Sequence, residues 1–174
     1  MMEYEFTLKY KLDPNDADHD ELVERLGAAG CTDALVGLGV AGHLGLEFVR
    51  EATSAEDAIL SALADVKGAI PGAKLIEVGP DFVGLSDVAD LVGVTRQNIR
   101  KLMVAHMAAF PAPVHSGSAS IWHLALVLQF LNERGYKLAQ AVVDVAKAAM
   151  RVNIAKEAAL VGHQLGDERF ALAA

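Results

Sequence analysis

Paired cysteines, long apolar runs and an excess of basic charge are all missing from this 174-residue chain. Cys31 stands alone, which excludes an internal disulfide and a Cys-based zinc site. No apolar run reaches the roughly 18–20 residues that cross a bilayer as a helix, so no membrane partner is expected. The start, Met1-Met2-Glu3-Tyr4-Glu5, lacks a basic stretch followed by an apolar one, so no secretory signal is expected. A soluble, cytoplasmic protein is the expectation. The five prolines all fall at breaks: Pro14, Pro71, Pro80, Pro111 and Pro113.

Hydrophobic residues make up 53% of the chain, enough for a real core and too many for disorder. The net charge of −8 speaks against nucleic acid only until its distribution is read. Residues 1–80 hold 15 acidic and 6 basic side chains, residues 81–135 hold 4 of each, and residues 136–174 hold 4 acidic and 5 basic. The acidity sits in the first segment. Binding DNA needs a local positive surface, not a basic protein.

Residues 3–12 alternate strictly, with Tyr4, Phe6, Leu8, Tyr10 and Leu12 on one side, and this predicts a half-buried strand. Asp13-Pro14-Asn15-Asp16 ends it, and His19–Ala29 carries helical spacing up to Gly30. Ala34–Val40 and His43–Ala52 read as strands joined at Ala41-Gly42. Ser54 opens a helix to about Ile70, and Lys74–Val78 gives a last strand before Gly79-Pro80. The order β-α-β-β-α-β is that of a ferredoxin-like sandwich. Beyond it the expected helices are Ser86–Val92, Arg96–Ala108, Ile121–Glu133 and Lys137–Val161, with a hairpin or wing within Phe110–Ser120. The expected organisation is therefore α+β, in three parts. Residues 1–80 form a sensing or partner-binding domain, 81–135 a winged helix-turn-helix, and 136–174 a long C-terminal helix and tail.

Residues 85–102 match the helix-turn-helix pattern wherever packing dictates the residue. Ser86 is the expected cap of the first helix, and Val88 and Val92 face inward one turn apart. Ala89 is small where the helices cross, Gly93 suits a left-handed turn, and Val94 plugs the gap. Thr95 caps the second helix, which Ile99 and Leu102 dock. That leaves Thr95, Arg96, Gln97, Asn98, Arg100 and Lys101 facing outward. Arg pairs bidentately with guanine, and Gln or Asn with adenine, in the major groove. Arg96, Gln97 and Arg100 are assigned to bases, and Thr95 and Lys101 to phosphates. The bland alternative is a helical hairpin with a solvated polar face.

With Phe110-Pro111-Ala112-Pro113-Val114, a short polar wing and Trp122 behind these helices, residues 84–133 resemble the winged-helix DNA-binding domains of the MerR and AlpA/excisionase group. The resemblance covers about a third of the chain and does not extend to the sandwich. It implies that His115, Ser116 and Ser118 lie beside phosphates. The wing departs from the group in lacking Arg or Lys, and no Cys-rich effector motif follows it.

Other signals are weaker. Gly37-Leu38-Gly39-Val40-Ala41-Gly42 satisfies G-x-G-x-x-G, but a strand pattern follows where a dinucleotide site needs a helix, so hairpin glycines are expected. The six histidines never fall at metal-ligand spacing, and His106 and His123 read as helix-surface or interdomain residues. No nucleophile elbow is present, so neither catalysis nor a cofactor is expected. Trp122 reads as a core plug. Leu138, Val142, Val145, Ala149 and Val152 form a seam that serves either packing within the chain or a homodimer, and the dimer is favoured. The tail ends Leu172-Ala173-Ala174, which resembles a bacterial degradation tag.

The resulting expectation is a sequence-specific regulator of transcription that binds double-stranded DNA, as a dimeric repressor. The alternative is an antitoxin or inhibitor that binds a partner protein through residues 1–80 and autoregulates through the helix-turn-helix. A small effector at the first domain and an architectural DNA role are further readings.

Overall fold

The computed structural model describes residues 1–162, in which six helices and two antiparallel sheets make a mixed α+β fold. The alternation of the first ten residues is realised as β1 (Met2–Lys11), whose Tyr4, Phe6, Leu8 and Tyr10 are buried while Glu3, Glu5, Lys9 and Lys11 are exposed. Helix α1 (His19–Ala28) starts on the Asp18 carboxylate, which accepts from the backbone N–H of Asp20 and of Glu21 at 3.1 Å. Strands β2 (Ala34–Gly37) and β3 (His43–Ala52) form a hairpin, with Gly42 at φ 73° where a side chain would be strained. Helix α2 (Ala55–Ala69) starts on Ser54, whose hydroxyl accepts from Asp57 N–H at 3.0 Å, and β4 (Lys74–Gly79) follows. The strands lie in the order β2-β3-β1-β4, and β1 pairs with β3 over its whole length from Met2↔Ala52 to Lys11↔His43.

Packing follows from the period of two. Leu22, Leu26, Ala58, Ile59, Ala62 and Val66 of the helices close one face of this sheet, and Phe6 stacks on Phe48 at 5.1 Å. Each fully buried aliphatic or aromatic side chain contributes about 1.5–3 kcal/mol of transfer free energy. Arg50, 9% exposed, is the charged residue in this face. Its guanidinium donates to both carboxylate oxygens of Asp33 at 2.7 and 2.9 Å and to Asp65 at 2.8 Å, so the buried charge is fully paired. That hydrogen bond holds the Asp33 carboxyl below its ordinary range, and burial pushes the neighbouring Cys31 thiol up to about 11.

The second core forms around β5 (Phe82–Val83), α3 (Leu85–Val92), α4 (Arg96–Ala105), β6 (His115–Ser116), β7 (Ser120–His123) and α5 (Leu124–Glu133). Its small sheet runs β5-β7-β6, and Val83, Val88, Ile99, Phe110, Trp122, Leu128 and Leu131 fill the space beneath. Ile121–His123 is strand where the sequence suggests the start of a helix, because Val83 pairs with Trp122 and fixes that stretch as a central strand. The helix expected from Ile121 begins at Leu124 instead. Likewise α4 stops at Ala105, three residues short of the expectation, where the His106 N–H closes on the Leu102 carbonyl.

The last helix, α6 (Gln140–Val161), serves both cores. Val145, Ala148 and Ala149 are buried in the first, and Ala146 in the second, with Leu138, Val142 and Val152 packed partly against them. The seam expected to join two copies is therefore occupied within the chain, by α2, β1, β4 and α5. No helix among the described residues is long and apolar enough to cross a membrane.

Candidate nucleic-acid interface

Helices α3 and α4 meet across a three-residue turn whose chemistry is local. Gly93 takes the left-handed conformation (φ 72°, ψ 33°), and a Cβ added there would meet no atom within 4 Å, so the backbone angle alone selects glycine. The Val94 N–H then returns to the Ala89 carbonyl at 3.0 Å, which closes the turn. Thr95 caps α4, its hydroxyl accepting from Asn98 N–H at 3.1 Å. The start of α3 differs from expectation. Gly84 is the N-cap and Ser86 lies inside the first turn, while the Asp87 carboxylate accepts from Gly84 N–H at 2.7 Å.

Val88, Ala89 and Ile99 are buried between the helices, with Val92, Val94 and Leu102 packed partly against them. Every residue assigned to the outer face is exposed: Thr95, Arg96, Gln97, Asn98, Arg100 and Lys101. None of the three cations makes an ion pair among the described residues, and α4 contains no acidic side chain. An unpaired, solvated Arg-Gln-Asn-Arg-Lys face is a donor-rich surface, free to meet an anionic ligand without first breaking internal bonds.

The β6–β7 hairpin stands beside this face. His115, Ser116 and Ser118 are all exposed, and Val114 N–H bonds the Ile121 carbonyl at 2.7 Å to continue the pairing past the strand. Its base is rigid. The Trp122 indole N–H donates to the Pro111 carbonyl at 3.0 Å, and Phe110 meets Trp122 edge-on at 6.0 Å and Phe130 at 4.9 Å. Trp122 is thus the buried plug that its neighbours suggest, 5% exposed.

Between α4 and the hairpin lies an open cleft of about 470 Å³, into which Arg96, Arg100 and Ser118 converge. Ser86, Met103 and Ser120 line the same cleft, and sequence reasoning assigned none of them to the interface. Ser120 and Trp122 stand two apart on β7, on one face of that arm, which is the signal for Ser120, and Ser118 lies in the turn just before it. Gln97, Asn98, Lys101, His115 and Ser116 lie outside this cleft, on exposed surface.

A further polar network was not foreseen. The Asp81 carboxylate, fully buried, bonds His123 Nδ1 at 2.7 Å through one oxygen and accepts from Asn153 Nδ2 at 2.8 Å through the other. His123 thus joins the linker after β4 to the base of the hairpin. The glycine-rich stretch 37–42 is the β2–β3 hairpin, with Gly37 paired to Gly45. Among the described residues no three His, Cys, Asp or Glu side chains are gathered as a metal site. Leu172, Ala173 and Ala174 lie outside the described residues. Comparison with protein-family models, curated proteins and solved structures finds no match to this chain.

Proposed function

We propose that this protein is a sequence-specific DNA-binding regulator, a repressor that acts as a dimer, with α4 as the helix that enters the major groove. The observation that carries the reading is the convergence of Arg96 and Arg100 with Ser118 in one open cleft, all three on exposed elements fixed by a buried core. In this reading α3 and α4 are the helix-turn-helix, β6–β7 is the wing, and residues 84–133 are a domain of the MerR and AlpA/excisionase kind. The left-handed Gly93, the Thr95 cap and the short β5-β7-β6 sheet support it. Residues 1–80 are then a ferredoxin-like sandwich, supported by the strand order β2-β3-β1-β4 with both helices on one face. Serine hydroxyls and the His115 ring replace cations on the wing, so the affinity comes mainly from α4.

The test is a binding titration against the site recovered from a genome-wide footprint. Arg96→Ala and Arg100→Ala should each lose about 1–3 kcal/mol and relax selectivity at one base pair. Lys101→Ala should weaken every sequence alike and lower the salt slope by about one. Unchanged affinity and unchanged preference in the double variant Arg96→Ala/Arg100→Ala would remove α4 from the interface.

A further inference from the structure

The face of the first sheet that the helices leave uncovered is electrically divided along its strands. At one end Glu3, Glu5 and Glu51 are exposed, with Glu47 beside Thr7 at mid-strand, and none of the four makes an ion pair among the described residues. Glu3 stands directly opposite Glu51 in the β1–β3 register. Like charges in that position destabilise a sheet, and among the described residues no cation pairs with either of them. At the other end His43, Lys11 and Lys74 form one row across β3, β1 and β4, with Lys9 beside them in the next row. Lys11 and Lys74 are exposed and make no ion pair among the described residues, while Lys9 is bonded to Glu77 at 2.6 Å.

We infer that this face is the docking surface for a second copy of the chain. A twofold axis lying between two such sheets and perpendicular to their strands reverses the strand direction while keeping the strand order. β1 then runs antiparallel over the partner's β1, and each acidic end covers a basic one. Centred on Thr7, the overlay places Glu3 opposite the partner's Lys11 and Glu5 opposite the partner's Lys9. The same operation sets Glu51 against the partner's His43. An axis parallel to the strands would instead lay acidic end on acidic end, with Glu3 against the partner's Glu51 where the axis passes between β1 and β3. The charge pattern therefore selects one of the two twofold arrangements.

Size and composition set the strength. Strands of ten, ten, six and four residues, at about 3.4 Å per residue and about 4.8 Å apart, give a face of roughly 500 Å² per copy, below the standard size of a specific interface. Val49, half-exposed, supplies apolar area in the middle, and a groove beside it is bounded by Pro80 and by Leu91 of α3. The pair is accordingly a reversible, salt-sensitive dimer. The axis points across the strands towards the β4 side, where Pro80 and Leu91 stand, so both copies of α3–α4 emerge on the same side of the pair. This inference needs no DNA and does not rest on the DNA-binding reading.

Sedimentation of the full chain without DNA tests it. A monomer–dimer equilibrium should appear in about 50 mM salt and shift at least about tenfold towards monomer in about 500 mM. Glu3→Lys and Lys11→Glu should each weaken the dimer about tenfold, and the double swap Glu3→Lys/Lys11→Glu should restore it. Within one chain these two positions lie about 27 Å apart on a single strand, so rescue can come only from a partner copy. Glu47→Gln, which relieves repulsion between the copies near the axis, should tighten it. Circular dichroism of each exposed variant checks that the fold is intact. A monomer at about 100 µM in low salt overturns the inference. A dimer indifferent to both single swaps, or not rescued by the double, does so equally. In any of these outcomes the Arg96 and Arg100 titration still decides DNA binding by itself.

Discussion

The side chain of Asn153 takes the place of a neighbouring strand at Val78: Oδ1 accepts the Val78 N–H and Nδ2 donates to the Val78 carbonyl, both at 2.8 Å. Val78 lies on β4, the edge of the first sheet, and Lys156 donates to the Ile76 carbonyl on the same edge. An open strand edge is a template for unwanted pairing, and α6 covers it with matched hydrogen bonds. The same Nδ2 reaches Asp81, which holds His123. One buried carboxamide thus ties β4, the following linker and the base of the hairpin into a single joint.

Asn153→Leu keeps the volume and removes all three bonds. It strands the Val78 N–H and carbonyl and one oxygen of Asp81 without solvent, and should cost about 2–4 kcal/mol of unfolding free energy. Urea titration followed by far-UV circular dichroism measures it. A loss below about 0.5 kcal/mol would mean that water or another side chain replaces the carboxamide at no cost.

How much of this was legible in the sequence depends on the range of the determinant. The alternation of β1, the Ser54 cap and the Gly93-Val94-Thr95 turn are local, and each is realised at the residues that suggested it. The outward set on α4 follows from helical period alone, and all six residues are exposed. What failed was non-local. Ile121 and Trp122 read as helix because their neighbours are helical, yet pairing with Val83, nearly forty residues earlier, makes them strand. The α6 seam read as a partner interface in preference to core, and only the shape of the rest of the chain, which brings α2 and β1 to it, decides for core. Asn153 gives no signal at all in a sequence, since its two partners, Val78 and Asp81, lie more than 70 residues away.

The Arg50–Asp33 pair makes a prediction about acid. Hydrogen bonding from Arg50 holds the folded Asp33 carboxyl below its unfolded value of about 4. A depressed folded value means that the contribution is present above about pH 4 and is lost as pH falls through the folded value. Asp33→Asn should therefore be less stable than the wild type at pH 7, and the gap should close steadily on acidification. Guanidinium titrations at pH 7, 5, 4 and 3 check this. A gap of constant size would show that the charge on Asp33 contributes nothing, and that only its hydrogen-bond geometry matters.

Gly93 offers a way to perturb α4 without touching any of its side chains. No neighbouring atom lies within 4 Å of an added Cβ, so Gly93→Ala meets only the strain of φ 72°. That strain is about 1–2 kcal/mol for an L-residue without a compensating hydrogen bond. Asn visits the left-handed region more readily, so Gly93→Asn should recover most of the loss in thermal stability. The Thr95 cap and the Val94–Ala89 bond follow immediately, so any relaxation of the strain tilts α4 against α3 and moves Arg96 and Arg100 relative to Ser118. On the proposed function, DNA affinity should fall further in Gly93→Ala than stability does, and again recover in Gly93→Asn. Thermal melts and binding titrations on the three proteins give both readings. If Gly93→Ala binds DNA as tightly as the wild type while melting lower, the turn serves only the fold, and the placement of α4 against the hairpin does not govern binding.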